Sequence, residues 1–196
     1  MAAFSIIWER IILREKLIVI DCQNDFISGN LACYNAISAV KKIVKYINQN
    51  DPLVYYSLDW HSEENKSFIH NGGIWPPHCI KDTFGAKLYK DFYSDIIRKE
   101  SIPNENNMYY KGLDDEIEEY SAFDAKSKLG SSLKDSIEDS VVICGIASEF
   151  CVRETVLEFI KAEKMVYILS SGLGYVDINE HKKNLKQLEE LGAVIL

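Results

Sequence analysis

The chain lacks what three broad classes of protein need. No apolar run approaches the roughly 20 residues of a membrane span, and charges interrupt every hydrophobic stretch. Positive charge is in deficit, with 22 Lys and Arg against 30 Asp and Glu and a net charge of −8. That balance argues against nucleic acid or an anionic membrane surface as a partner. The five cysteines, Cys22, Cys33, Cys79, Cys144 and Cys151, are odd in number and contain no Cys-x-x-Cys pair. Neither a disulfide framework nor a zinc ribbon is expected, and a reducing, cytoplasmic compartment is. Residues 1–16 are apolar in places, but Glu9, Arg10, Arg14 and Glu15 break them up. No signal-peptide core or cleavage site is read there. The segment is taken as an N-terminal extension ahead of a single domain at 17–196.

What is present is a globular composition, 47% apolar and 27% charged over 196 residues, enough for one sizeable core. The organising stretch is Val141-Val142-Ile143-Cys144-Gly145-Ile146-Ala147-Ser148-Glu149-Phe150-Cys151. An apolar, β-branched run leading to a glycine reads as a buried parallel strand. Ser148 then suits a helix N-cap, and Val152, Val156, Phe159 and Ile160 share one helical face. Cys151 therefore sits in the first turn of a helix just past a strand's carboxyl end. Open α/β sheets bind ligands there, and the helix dipole favours a thiolate.

Other apolar runs predict strands at 17–20, 53–58, 108–110, 165–169 and 193–196, and helices at 36–48, within 84–99, at 127–137, 149–163 and 179–191. Strand and helix alternate, so the expected architecture is α/β: three layers, α/β/α, around a six-stranded, mostly parallel sheet. Asp21, Lys111 and Cys151 each follow a strand directly. Strand ends of a parallel sheet lie along one edge, so a carboxylate, an ammonium and a thiol can converge there. A buried carboxylate serves as base for a thiol, and the lysine favours both anions. Singly, the three residues read as a capping aspartate, a surface lysine and a core cysteine.

The loop from 59 to about 83 carries three of the four histidines. Asp59-Trp60-His61 projects a carboxylate and an imidazole to one side of an extended segment, and His78 follows two stiffening prolines. Two histidines and a carboxylate suit one divalent transition metal, zinc first, with iron or manganese as alternatives. His70, Glu64, Asn65 and Asn71 are candidates for a further ligand.

Asp21-Cys22-Gln23-Asn24-Asp25-Phe26, Asp59-Trp60-His61, Trp75-Pro76-Pro77-His78-Cys79, Lys111-Gly112, Tyr120-Ser121-Ala122-Phe123 and Gly145 to Val152 stand in this order. In that order they resemble the nicotinamidases of the isochorismatase-like cysteine hydrolase superfamily, from about Leu17 to the end of the chain. The resemblance implies the isochorismatase-like fold and metal-dependent hydrolysis of nicotinamide to nicotinate and ammonia through a cysteine thioester, in NAD salvage. It implies Asp21 as general base and acid, Lys111 as its electrostatic partner and Cys151 as nucleophile. Asp59, His61 and His78 would hold the metal, which binds the pyridine nitrogen. Phe26 and Trp75 would sandwich the substrate ring, with Tyr120 beside them. A cis peptide at Ile146-Ala147 would turn the N–H groups of Ala147 and Cys151 toward an oxyanion. One departure stands out: many relatives carry a further histidine six residues after the metal-binding aspartate, where this chain has Asn65. The alternatives are another cysteine amidase of the superfamily, acting on N-carbamoyl or ureido groups, and a non-catalytic α/β partner-binding module. An isochorismatase would not need Cys151. A homo-oligomer is compatible with the sequence.

Overall fold

The computed structural model describes residues 14–196. Alternating apolar side chains along the inner strands build the molecule. Leu17 and Val19 of β1 (Lys16–Ile20) join one buried cluster, Ile18 and Ile20 the other. In β5 (Ser140–Gly145), Val142 and Cys144 face the first cluster and Val141 and Ile143 the second. The period-2 geometry of a strand thus dictates a core on each side of the sheet. Helix α2 (Ala36–Asn50) covers the first face through Ala36, Val40, Ile43, Val44 and Ile47. Helices α4 (Arg153–Lys161) and α5 (Ile178–Glu190) cover the second through Val156, Phe159 and Leu188.

Among the described residues the sheet has seven strands in the order β4-β3-β2-β1-β5-β6-β7, with β2 at Leu53–Asp59, β3 at Met108–Lys111, β4 at Lys126–Ser127, β6 at Met165–Leu173 and β7 at Val194–Ile195. All pairings are parallel except β3 with β4. The α/β sandwich stands as expected, and the strand count of six is corrected to seven. The extra strand, β4, overlaps the start of the expected helix at 127–137. Gly130, at φ 86°, lets the chain reverse so that Ser127 N–H reaches Ser131 O, and only Leu133–Ser136 coils, as a 3₁₀ turn. Of the helix within 84–99, only α3 (Asp91–Ser94) is α-helical. The backbone before it is spent elsewhere: Gly85 O and Lys87 O accept from Asp25 and Asn24, and Tyr89 N–H donates to Cys22 O. Those bonds fix α1 (Asn24–Ile27), a short helix that no apolar periodicity predicts.

Strand β6 runs on to Leu173, four residues past its expected end. Lys16 already belongs to β1. Of the proposed extension, residues 1–13 lie outside the described residues. Among the described residues, no helix is long and apolar enough to cross a membrane.

Candidate active site

Strand register places the reactive groups. Asp59 and Lys111 are paired across β2 and β3, so both leave the sheet at its carboxyl edge. Ile20 pairs with Gly145, which puts Asp21 level with the start of the Cys151 turn. Asp21 ends its strand at φ 45°, a left-handed conformation that aspartate tolerates better than most residues. Gly145, at φ 123°, is required by close approach: a Cβ there would sit 2.1 Å from Ile20 O. Cys151 lies in a π-helical turn, Ser148–Val152, that leads into α4. The Ile146–Ala147 peptide is cis.

The three side chains singled out at strand ends converge. Lys111 Nζ lies 2.9 Å from Asp21 Oδ2, 2.8 Å from Asp59 Oδ1 and 3.6 Å from Cys151 Sγ. An Asp21 oxygen, an Asp59 oxygen and Cys151 Sγ all fall within 4.8 Å of one another. Strands β1 and β3 are not neighbours, since β2 separates them. The length of the lysine side chain spans that gap. Ser57 on β2 donates to Asp21 Oδ1 at 2.6 Å, which leaves Oδ2 for Lys111.

Burial dominates the electrostatics. Asp21 and Lys111 are wholly shielded from water. Desolvation raises the Asp21 carboxyl above the ordinary range, with the Lys111 ammonium opposing it. Lys111 moves up: burial alone would lower it, but Asp21 and Asp59 outweigh that. Asp59 is held low, because Lys111 and the two imidazoles overcome its own desolvation. The Cys151 thiol is pushed well up by burial, more than Lys111 can offset. Burial thus opposes the thiolate that the helix terminus and the lysine favour, so attack by the sulfur calls for a base.

Asp59, His61 and His78 form the second cluster. Asp59 Oδ2 is 3.3 Å from His61 Nε2 and 3.8 Å from His78 Nε2. The other ring nitrogens face carbonyl oxygens, His61 Nδ1 to Gly112 O at 3.1 Å and His78 Nδ1 to Pro76 O at 2.8 Å. A carbonyl only accepts, so each Nδ1 carries a proton, and each Nε2 is left on the Asp59 side, where its lone pair can serve a metal. The donor set fits a divalent transition metal. Gly112, at φ 68°, permits it, since a Cβ there would lie 2.4 Å from His61 Cε1. Burial lowers the His78 imidazole; it would lower His61 too, but bonding to Asp59 carries that ring upward.

The further ligand candidates do not join this group. Glu64 is exposed and accepts from Ser62, His70 is exposed with Nε2 on Glu63 O, and Asn71 donates to Glu63 O and Asn65 O. The loop's own backbone carbonyls claim His70 and Asn71, and the Ser62 hydroxyl claims Glu64. Asn65 is buried with its Oδ1 accepting from Ser67 N–H. The Ser67 hydroxyl, buried and without a partner, instead reaches the cavity wall beside the cluster. Nothing in the sequence marked it.

The cavity measures about 230 Å³ and is mostly apolar. Cys151, Asp59, His61 and His78 reach its surface, while Asp21 and Lys111 lie behind them. Phe26, Trp75 and Tyr120 line it. Phe150, missed in the sequence, packs edge-on against Trp75 at 5.4 Å and tilted to Tyr120 at 5.8 Å. Trp75 Nε1 donates to Glu118 and Tyr120. Gln23 was also missed. It donates to Asp59 O at 2.7 Å and accepts from Asp59 N–H at 2.8 Å, pinning Asp59 by its backbone. A buried glutamine carries no periodicity signal.

Residues 15–196 match the isochorismatase domain family. The nicotinamidase of Acinetobacter baylyi is 29% identical over 188 residues, covering 83% of this chain and 82% of its own. Among solved structures, pyrazinamidase of Pyrococcus horikoshii in complex with zinc superposes with a TM-score of 0.78 at 29% identity, over 93% of this chain and 98% of that one. PnC1 from L. infantum in complex with nicotinate gives 0.79 at 28% identity, over 93% and 92%.

Proposed function

This chain belongs to the isochorismatase domain family, and from that premise we propose that it is a nicotinamidase, hydrolysing nicotinamide to nicotinate and ammonia. The observation that carries the proposal is the meeting of Asp21, Lys111 and Cys151 at the wall of an aromatic cavity whose floor also presents Asp59, His61 and His78. The named relatives act on or bind pyridine and pyrazine carboxamides or their acids, which is the ligand class this cavity suits.

In the proposed mechanism Asp21, its basicity raised by burial, takes the proton from Cys151 Sγ as the sulfur attacks the carboxamide carbon. Lys111 balances the negative charge shared by carboxylate and sulfur throughout. Backbone N–H groups of Ala147 and Cys151 hold the developing oxyanion. Asp21 then returns the proton to the leaving nitrogen, the C–N bond breaks, and ammonia departs from a thioester on Cys151. Water gives a proton to Asp21 and attacks the thioester carbon. The C–S bond breaks, nicotinate forms, and the proton on Asp21 returns to sulfur. Phe26 and Trp75 hold the ring flat. A divalent ion on Asp59, His61 and His78, zinc being the first choice, would supply a Lewis-acid contact for the ring nitrogen. In a cell the reaction would feed nicotinate into NAD salvage, in the reducing cytoplasm that the free cysteines suit.

The test is ammonia release from nicotinamide by the purified, zinc-loaded protein. Turnover by the wild type with none by Cys151→Ala is expected. No release from the wild type, or undiminished release from Cys151→Ala, would refute the proposal.

A further inference from the structure

The remaining histidine, His181, lies outside the metal cluster, yet it is tied to the turn that carries Cys151. Ser148 opens that turn and is wholly buried. The sequence reading made Ser148 a helix N-cap; instead Ala147 holds the cap position and no side chain caps the turn. The Ser148 hydroxyl points across to α5, with His181 Nδ1 2.7 Å from its Oγ. One helical turn on, Asn184 Nδ2 donates to Ser148 O at 2.7 Å and lies 3.4 Å from the same Oγ. Since Asn184 Nδ2 can only donate, the hydroxyl proton is free to point at Nδ1, and the ring proton sits on Nε2. Burial, which lowers the His181 imidazole, favours that neutral form.

Further bonds reinforce the attachment. Ser148 N–H donates to Gly174 O at 2.8 Å. Glu149 Oε1 accepts from the N–H groups of Val176 and Asp177, at 2.9 and 2.8 Å, just before α5 begins. The ring of His181 stacks on Tyr175, at 4.7 Å and 22°. Tyr175 is paired backbone to backbone with Tyr34, next to the cavity-lining Cys33. Such fastening matters because the sulfur must sit within bonding reach of both Asp21 and a substrate carbon, and small displacements of a reacting group are costly. A π turn also has a looser hydrogen-bond ladder than an α-helix and gains more from outside support.

We propose that His181 and Asn184 are positioning residues: the first turns of α5 grip Ser148 and thereby set where the Cys151 sulfur stands. Neither touches the substrate cavity. The proposal rests on Cys151 being the nucleophile, so its test uses two readouts, one of which does not need nicotinamide. The first is the rate of Cys151 alkylation by iodoacetamide in the folded protein, followed by peptide mass spectrometry. The second is the split of kcat against KM for nicotinamide, with the melting temperature recorded for every variant.

For His181→Ala, the expected result is a loss of roughly tenfold or more in kcat, KM within about twofold, and a changed alkylation rate. His181→Asn, whose amide falls near the Nδ1 position, should recover most of the loss. Ser148→Ala should reproduce the defect, and the double variant should be no worse than the poorer single one, since both cut the same link. Should Ser148→Ala fail to fold, the His181 pair decides. Folded His181→Ala with wild-type kcat and alkylation rate would overturn the proposal, as would a defect that His181→Asn does not relieve. An inactive wild type that still shows the alkylation pattern would refute the nicotinamidase reading and leave this one standing.

Discussion

Replacing Lys111 by Met leaves two carboxylates facing each other in a dry pocket, and the cost follows from the geometry. The ammonium is fully buried between Asp21 and Asp59, at 2.9 and 2.8 Å. Removing one partner of a buried ion pair costs about 3–5 kcal/mol, because a desolvated charge is stranded. For a domain of this size each kcal/mol shifts the melting temperature by about 2–4 °C, so a fall of roughly 6–20 °C is expected. The loss should depend on pH in a definite direction. Lys111 holds both carboxyls down in the wild type. Without it the folded pKa of Asp21, already raised by burial, climbs further above the unfolded value of about 3.9, and that of Asp59 rises too. The folded state then binds more protons than the unfolded one, and stability declines as pH climbs through the raised values. Urea unfolding of chelator-treated wild type and Lys111→Met, at about pH 5 and about pH 8, measures this, and the gap should widen at the higher pH. A gap under about 1 kcal/mol at both, within the range of an exposed pair, would refute the buried triad.

Gly112→Ala should push His61 off its carbonyl anchor, since the new methyl would lie 2.4 Å from Cε1. Zinc affinity, read by competition with a chromogenic chelator, should fall roughly 10–100-fold, and unchanged affinity would contradict the anchor. Gln23→Ala strands the backbone N–H and C=O of Asp59 and the C=O of Ala86, so about 2–4 kcal/mol of stability should be lost in urea unfolding. Exhaustive chelation should raise KM for nicotinamide and be reversed by zinc, while leaving Cys151 alkylation largely intact; equal loss of both would mean the metal cluster holds the nucleophile's fold.

The sheet was legible because its inner strands are apolar on both faces, as in Leu17 to Ile20 and Val141 to Cys144. The strand-end trio was legible for the same reason, since a polar residue directly after such a run must emerge at the edge. Three things were not. The helix at 127–137 failed because Gly130 and the flanking serines offered a tighter reversal that periodicity does not register. The weight of burial on the Cys151 thiol was hidden as well, because burial is a tertiary quantity that no local pattern registers. Finally, Gln23 and His181 act through partners distant in sequence, and Ser67 lines a cavity built from distant segments, so no local pattern betrays them.

The central claim is that Cys151, deprotonated by Asp21 beside Lys111, forms a covalent bond to the substrate carbonyl. Acid quenching of zinc-loaded enzyme during turnover of nicotinamide, followed by intact-protein and peptide mass spectrometry, tests it directly. The account predicts a nicotinoyl adduct located on Cys151 and absent from Cys151→Ala. Turnover with the adduct on another residue, or turnover retained by Cys151→Ala, would contradict it.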